Sequence, residues 1–250
     1  MSDFDRGIPR SVRAGAADMA VDAGLRAFML GVYNKVGLGL LISAALAYVT
    51  SSVAPVRDLL FQVSADGRFV GMTLLGMIIA ISPIAVLLIG RLAFKQSPRS
   101  SGIVYWGVVA LFGASLGDIA LLYRVDSIFM TFLITAAAFG SLSLVGYTTK
   151  KDLTAFGSFL IVGLVGLIIA SVVNIFLASS ALAFVVNIVG VLIFAGLIAF
   201  DTQRLKMTYY QLGGDQAAMG VATNYGALSL YLDFLNLFMF LLQLMGGGRR

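Results

Sequence analysis

Apolar runs about one membrane thickness long recur along this chain, and they leave it few folds to choose from. A helix needs roughly 20 apolar residues to cross the hydrocarbon core of a bilayer. Such runs are expected at about 29–51, 69–90, 102–123, 127–147, 156–178, 183–201 and 225–245. Short polar breaks separate them at Pro55 to Arg68, Lys95 to Ser101, Arg124 to Ser127, Lys150–Asp152 and the longer segment from Thr202 to Asn224. With 60% hydrophobic and 12% charged residues, the 250-residue chain has no room for a separate soluble domain. The expected fold is therefore all-α, a polytopic membrane helix bundle, with a 1–28 tail and a 29–250 membrane domain.

Charge placement predicts orientation. With the N-terminus inside, the inner segments hold Arg6, Arg10, Arg13, Arg26, Lys35, Arg91, Lys95, Arg99, Lys150, Lys151, Arg204 and Lys206, against Arg57, Arg68 and Arg124 outside. That asymmetry is the positive-inside pattern, and it makes residues 1–28 a cytoplasmic tail. Arg249 and Arg250 then end outside if the last run spans, or inside if it re-enters. Twenty-one residues at 1.5 Å rise give about 31 Å, enough to cross, and spanning is the favoured reading. The net charge of +5 is spread among loops, which argues against nucleic acid as a partner and leaves membrane lipid as the surroundings.

The chain has no Cys and no His, and all of its acids are Asp. Imidazole and thiol chemistry and the usual zinc sites are thereby excluded, and no cofactor is expected. Ion chemistry would fall to hard oxygen ligands, which suit calcium.

Two of the aspartates interrupt apolar runs: Asp201 ends AFVVNIVGVLIFAGLIAFD, and Asp233 interrupts YGALSLYLDFLNLFMFLLQLM. A charge near the middle of a membrane helix costs roughly 2.5–3.5 kcal/mol on insertion scales, and such groups mark functional sites by default. In the expected topology both acids fall in the cytoplasmic half, Asp233 eight residues past Tyr225, about 12 Å along the helix. Ser229, Asp233, Asn236 and Gln243 share one helical face, and Asn187 shares the face of Asp201. For Asn187 and Gln243, interhelical hydrogen bonding is the plainer reading. Arg204 stands at i+3 from Asp201, so an interfacial ion pair competes with a functional role there.

Were the two acids to meet, they could not both ionise cheaply and would share a proton, which makes the site pH-sensitive. As a metal site the pair falls short of the six to eight oxygens calcium prefers. Ser229, Asn236, carbonyls and water would have to complete it. Arg91 and Lys95 are either counter-ions to the pair or anchors at the membrane edge. Asp118 is a third membrane acid, with Arg124 within reach. An intramembrane aspartyl protease is disfavoured, because the nearest GxGD-like segment, Ser115–Asp118, lacks the first glycine and precedes FDT in the chain.

Gly146–Leu160 (GYTTKKDLTAFGSFL), Ile193–Lys206 (IFAGLIAFDTQRLK) and Ala227–Gly246 (ALSLYLDFLNLFMFLLQLMG) together resemble the transmembrane Bax inhibitor motif family in its bacterial branch. The resemblance runs through nearly the whole chain in span order. It implies seven helices with the seventh central, a non-enzymatic pH-gated calcium leak and a place in the bacterial inner membrane. Asp201 and Asp233 would be the family's aspartate dyad, latched by an arginine of span two, for which Arg91 is the candidate. Modulation of a membrane protease or stress-response partner is the alternative activity implied, with the acids then structural. Asp118 matches no part of the family pattern.

Overall fold

In the computed structural model the backbone is described over residues 10–66, 68–93 and 97–246, and side chains over the same residues except 10–22 and 91–93. Six helical stretches are long and apolar enough to cross a membrane: Ala23–Ser52, Pro98–Leu122, Val125–Thr148, Thr154–Leu177, Ser180–Gln211 and Gln216–Met245. A seventh apolar helical stretch, Leu74–Gly90, is shorter.

The first helix, α1 (Arg10–Ser52), runs straight through the boundary expected near residue 28. Leu25 and Phe28 are already buried in the core, so the bundle begins before the first apolar run does. After the short α2 (Ala54–Leu60) the chain makes an unforeseen antiparallel hairpin, β1 (Phe61–Val63) with β2 (Phe69–Met72), pairing Phe61 with Met72. The start of the second expected span at 69 is therefore strand, and helix α3 occupies Leu74–Ala93. Short period-two stretches cannot be told from the start of an apolar helix when both are hydrophobic.

The third span is broken into α4 (Pro98–Ser115) and α5 (Gly117–Leu122) at Leu116. Helix α6 (Val125–Thr148) and helix α7 (Thr154–Leu177) follow. The Thr202–Asn224 break is mostly helix. Helix α8 (Ser180–Gln211) and helix α9 (Gln216–Met245) carry the spans two to three turns beyond their apolar cores. They meet at a tight turn through Gly213 and Gly214, whose φ of +57° and +89° only glycine adopts freely. Asp215 caps α9 by accepting the amides of Ala217 and Ala218.

Helix α9 is the packing centre, lying against α1, α4, α6 and α8. Its Leu230, Tyr231, Leu237 and Leu242 are fully enclosed. Tyr231 shares a hydrogen bond of 2.7 Å with Ser43, which donates in turn to the Val109 carbonyl at 3.2 Å, so one polar chain joins α9, α1 and α4. Around Phe234, the rings of Phe132 and Phe139 from α6 stand at 5.5 and 5.6 Å. Helix α7 packs chiefly on α8 and keeps most of its surface outward.

Helices α6 and α8 cross closely at Gly146. A Cβ there would run into the backbone of Ala199, the residue two before Asp201. Small residues at membrane helix crossings permit this approach. Gly146→Ala is expected to lose roughly 1–3 kcal/mol, because backbone cannot step aside as a side chain can. Gly140→Ala on the same helix meets open space and is expected to match or exceed wild type. Thermal unfolding of the two variants in detergent checks the contrast, and equal melting would contradict the close crossing.

Candidate functional site

The α8–α9 contact brings together the two aspartates separated by 32 positions in sequence. Asp201 is 5% exposed and Asp233 6% exposed, and their carboxyls lie within reach of one hydrogen bond. Ser229, one turn before Asp233 on α9, donates its hydroxyl to Asp201 Oδ2. Arg204, one turn after Asp201 on α8, places Nη1 3.3 Å from Asp201 Oδ1 and Nη2 3.5 Å from the Ser229 hydroxyl. Its guanidinium also stands 5.8 Å from the Phe200 ring. Asp201 is therefore held from both sides. Asp233 is not: its Oδ2 is buried with no donor among the described groups. A second carboxylate can only accept, so the shortfall at Asp233 is one proton or one cation.

The expected site residues divide accordingly. Asp201, Asp233 and Ser229 come together. Asn236 is nearby on the same face, but its amide donates to its own helix at Leu232 O, 2.8 Å away, and not to the acids. The side chain of Arg91 lies outside the described residues, as do Lys95, Arg249 and Arg250. The cation actually seen at the pair is Arg204, so the ion pair weighed against a functional role for Asp201 is present within the cluster itself. Among the described residues no group of three or more acids, His or Cys could hold a metal ion. A divalent cation at Asp201 and Asp233 would have to draw its remaining ligands from Ser229, carbonyls and water.

A cavity of about 470 Å³ opens beside the pair between α7, α8 and α9. Ser229, Asp233 and Asn236 form its polar wall, and Ile168, Val172 and Phe194 are among the apolar residues facing them. The polar stripe of α9 therefore lines a cavity as its periodicity predicts, up to Asn236. Gln243 is exposed and takes no part. Asn187 is buried on α8. Asp118 sits in the first turn of α5, and Arg124 turns instead to Asp126 in a two-pronged contact at 3.0 and 3.1 Å.

The residues around Asp201 fasten α8 to its neighbours. Thr202 is fully buried and reaches the Ser143 hydroxyl of α6 at 3.5 Å. Gln203 accepts from the Leu153 amide and donates to the Lys151 carbonyl, both at 2.8 Å, which pins the α6–α7 loop. Lys206 donates to the Tyr147 carbonyl at 3.0 Å, closing the end of α6. None of these roles was legible beforehand. The only signal was that three polar residues directly follow a membrane acid.

What the fold and site define is a polytopic helical membrane protein built around an aspartate pair at the contact of its last two helices. The chain belongs to the Bax inhibitor family: the family described as "Inhibitor of apoptosis-promoting Bax1" matches residues 25–250. A Caulobacter vibrioides protein is 61% identical over all 250 residues, covering 100% of both chains. A Rickettsia prowazekii protein is 42% identical over 229 residues, 91% of this chain and 92% of its own. Inner membrane protein YbhL of Escherichia coli K12 is 40% identical over 228 residues, 91% of this chain and 94% of its own.

If Gln203 is the pin of the α6–α7 loop, Gln203→Ala frees the Leu153 amide. Hydrogen exchange across 149–154 is then expected to quicken by about an order of magnitude, the loss of one to two net hydrogen bonds. Unchanged exchange there would assign the loop another anchor.

Proposed function

We propose that this protein is a pH-sensitive calcium leak, with Asp201 and Asp233 sharing the proton that sets its state. The observation that carries this reading is the buried, donorless Oδ2 of Asp233 on an acid that lies against the carboxyl of Asp201. Two carboxylates this close do not both ionise freely, and a shared proton supplies the missing donor while lowering the charge of the cluster. With the proton present, the pair together with Arg204 can hold α8 and α9 in contact. With the proton gone, the two charges either repel or accept a divalent cation.

Calcium is the cargo in this reading. Asp201 and Asp233 offer it charge, Ser229 and Asn236 offer neutral oxygens, and the cavity beside them provides room for water. The role is transport and not catalysis. The described cation beside the pair is Arg204, and Arg91 at the end of α3 is a second candidate for the latch. We further propose that α3 is the remaining membrane crossing, so that there are seven in all, and that the N-terminus is cytoplasmic. The likeness to the E. coli inner membrane protein supports the bacterial inner membrane as location.

Calcium entry into dye-loaded liposomes carrying the purified protein, followed across pH, tests the reading. Wild type is expected to give flux that varies with pH. Asp233→Asn, which keeps size and removes the titrating group, is expected to give flux that does not. A pH response surviving in this variant would remove the dyad from the mechanism. Absence of flux in wild type at every pH would instead favour the role as regulator of a membrane partner.

A further inference from the structure

A second polar pocket, of about 670 Å³, lies where α6 ends, α7 begins and α8 passes beneath both. Four basic residues line it: Lys150 and Lys151 from the α6–α7 loop, and Arg204 and Lys206 from α8. One carboxylate lines it too, that of Asp152, so four cations face one anion in the lining. Asp152 accepts the Thr154 hydroxyl at 2.6 Å and the Thr154 amide at 2.9 Å, which hold it ionised at a lower pKa than usual while turning it toward the first turn of α7. Of the four cations, Arg204 already holds Asp201 and Lys206 donates to the Tyr147 carbonyl. Lys150 and Lys151 are exposed and make no ion pair among the described residues.

The cluster is positioned. Gln203 fixes the loop through the Lys151 carbonyl and the Leu153 amide, and this sets both lysines over α8. Lys206 is held by the Tyr147 carbonyl and its ring, 5.5 Å away, and retains further N–H donors. Phe200 and Met207 supply an apolar wall. The pocket stands at the ends of two candidate spans, Val125–Thr148 and Thr154–Leu177. Basic pockets between membrane helices at this level take phosphate headgroups.

We propose that this pocket binds a phosphate group, carried by an anionic lipid at the membrane edge. The apolar wall of Phe200 and Met207 and the place at the ends of two candidate spans favour a lipid over free phosphate. The site also bears on the aspartate pair, because Arg204 belongs to both. Its guanidinium is half exposed to the pocket, 51% by side chain, while holding Asp201 at 3.3 Å. A bound phosphate competes with Asp201 for that guanidinium, as a bidentate acceptor. Headgroup occupancy thereby loosens the cation that, among the described residues, steadies the pair. This last consequence rests on the pH-sensitive leak proposed above, whereas the binding itself does not.

Lipid retention by native mass spectrometry of the purified protein, offered phosphatidylglycerol or phosphatidylcholine, reads the site without calcium or flux. Wild type is expected to retain phosphatidylglycerol in preference. Lys150→Gln with Lys151→Gln is expected to weaken that retention by about five-fold per lysine, as a charge near an anionic headgroup is worth. Both side chains are exposed, so melting should stay at the wild-type value, and Lys151→Glu alone gives a second variant with the same direction. Excess inorganic phosphate leaving the lipid in place identifies the headgroup as ligand. Displacement by phosphate with the same lysine dependence keeps the site and assigns it to free phosphate. Equal retention of the two lipids, or of phosphatidylglycerol by wild type and variants, overturns the proposal. A failure here leaves the calcium leak standing, and a failure of flux leaves the binding standing.

Discussion

The burial of two carboxylates between α8 and α9 is the constraint on which the rest of the architecture turns. A buried charge without a partner is costly in any apolar medium, so the acids dictate what must surround them. Asp201 meets that demand with a hydroxyl from the opposite helix and a guanidinium from its own. Asp233 lies against the carboxyl of Asp201, and its Oδ2 has no donor among the described residues. The helix pair therefore depends on a proton or a cation for its electrostatic closure. Helix α9 cannot simply move away from the conflict, because Tyr231, Phe234 and Leu237 are wedged into neighbours on either side. The acid-bearing face thus belongs to a helix packed against α1, α4, α6 and α8.

The same stretch of α8 that carries Asp201 also ties the bundle's polar end together. Within six positions it supplies Asp201 to α9, Thr202 to α6, Gln203 to the α6–α7 loop and Lys206 to the last carbonyls of α6. Interhelical hydrogen bonds in membranes average only about 0.6 kcal/mol each. Their weight here lies in number and geometry, since they fix the azimuth of α8 and so the direction in which Asp201 points. Ala199 against Gly146 sets the spacing on the same side. A rotation of α8 by a fraction of a turn would break every one of these contacts together.

The membrane class, the run of long helices and the two membrane acids were legible in the sequence, because each follows from a one-dimensional signal, whereas the meeting of the acids was implied only by the family resemblance. Apolar length gives a span, and an acid in an apolar run stands out against it. The polar stripe of α9 was legible as far as Asn236, where helical periodicity still coincided with the cavity. What was not legible arose from pairings across the fold. The hairpin at Phe61 and Phe69 depends on strand partnering of two short apolar pieces beside a helix. The continuation of α8 and α9 past residues 202 and 224 depends on packing, which overrides the polar composition that marked this stretch as a break. Leu25 and Phe28 join the core because α1 extends beyond its apolar window, a fact composition hides.

Arg204 is the sharpest case, and it alters how the site should be understood. In sequence it was a reason to discount Asp201, since an arginine one turn away from an interfacial aspartate is commonly a surface pair of small worth. In the fold, one end of that pair is buried and the other half exposed, with Ser229 bridging to the helix that carries Asp233. The ion pair therefore links a buried acid to the exposed end of the helix. In the proposed phosphate site, an anion that reaches Arg204 would act on Asp201 through a single side chain. A change at Asp201 reaches Asp233 by way of the carboxyl contact. The proposed control of the pair from the membrane edge would thus need no long-range movement of helices, only a choice by one guanidinium between two acceptors.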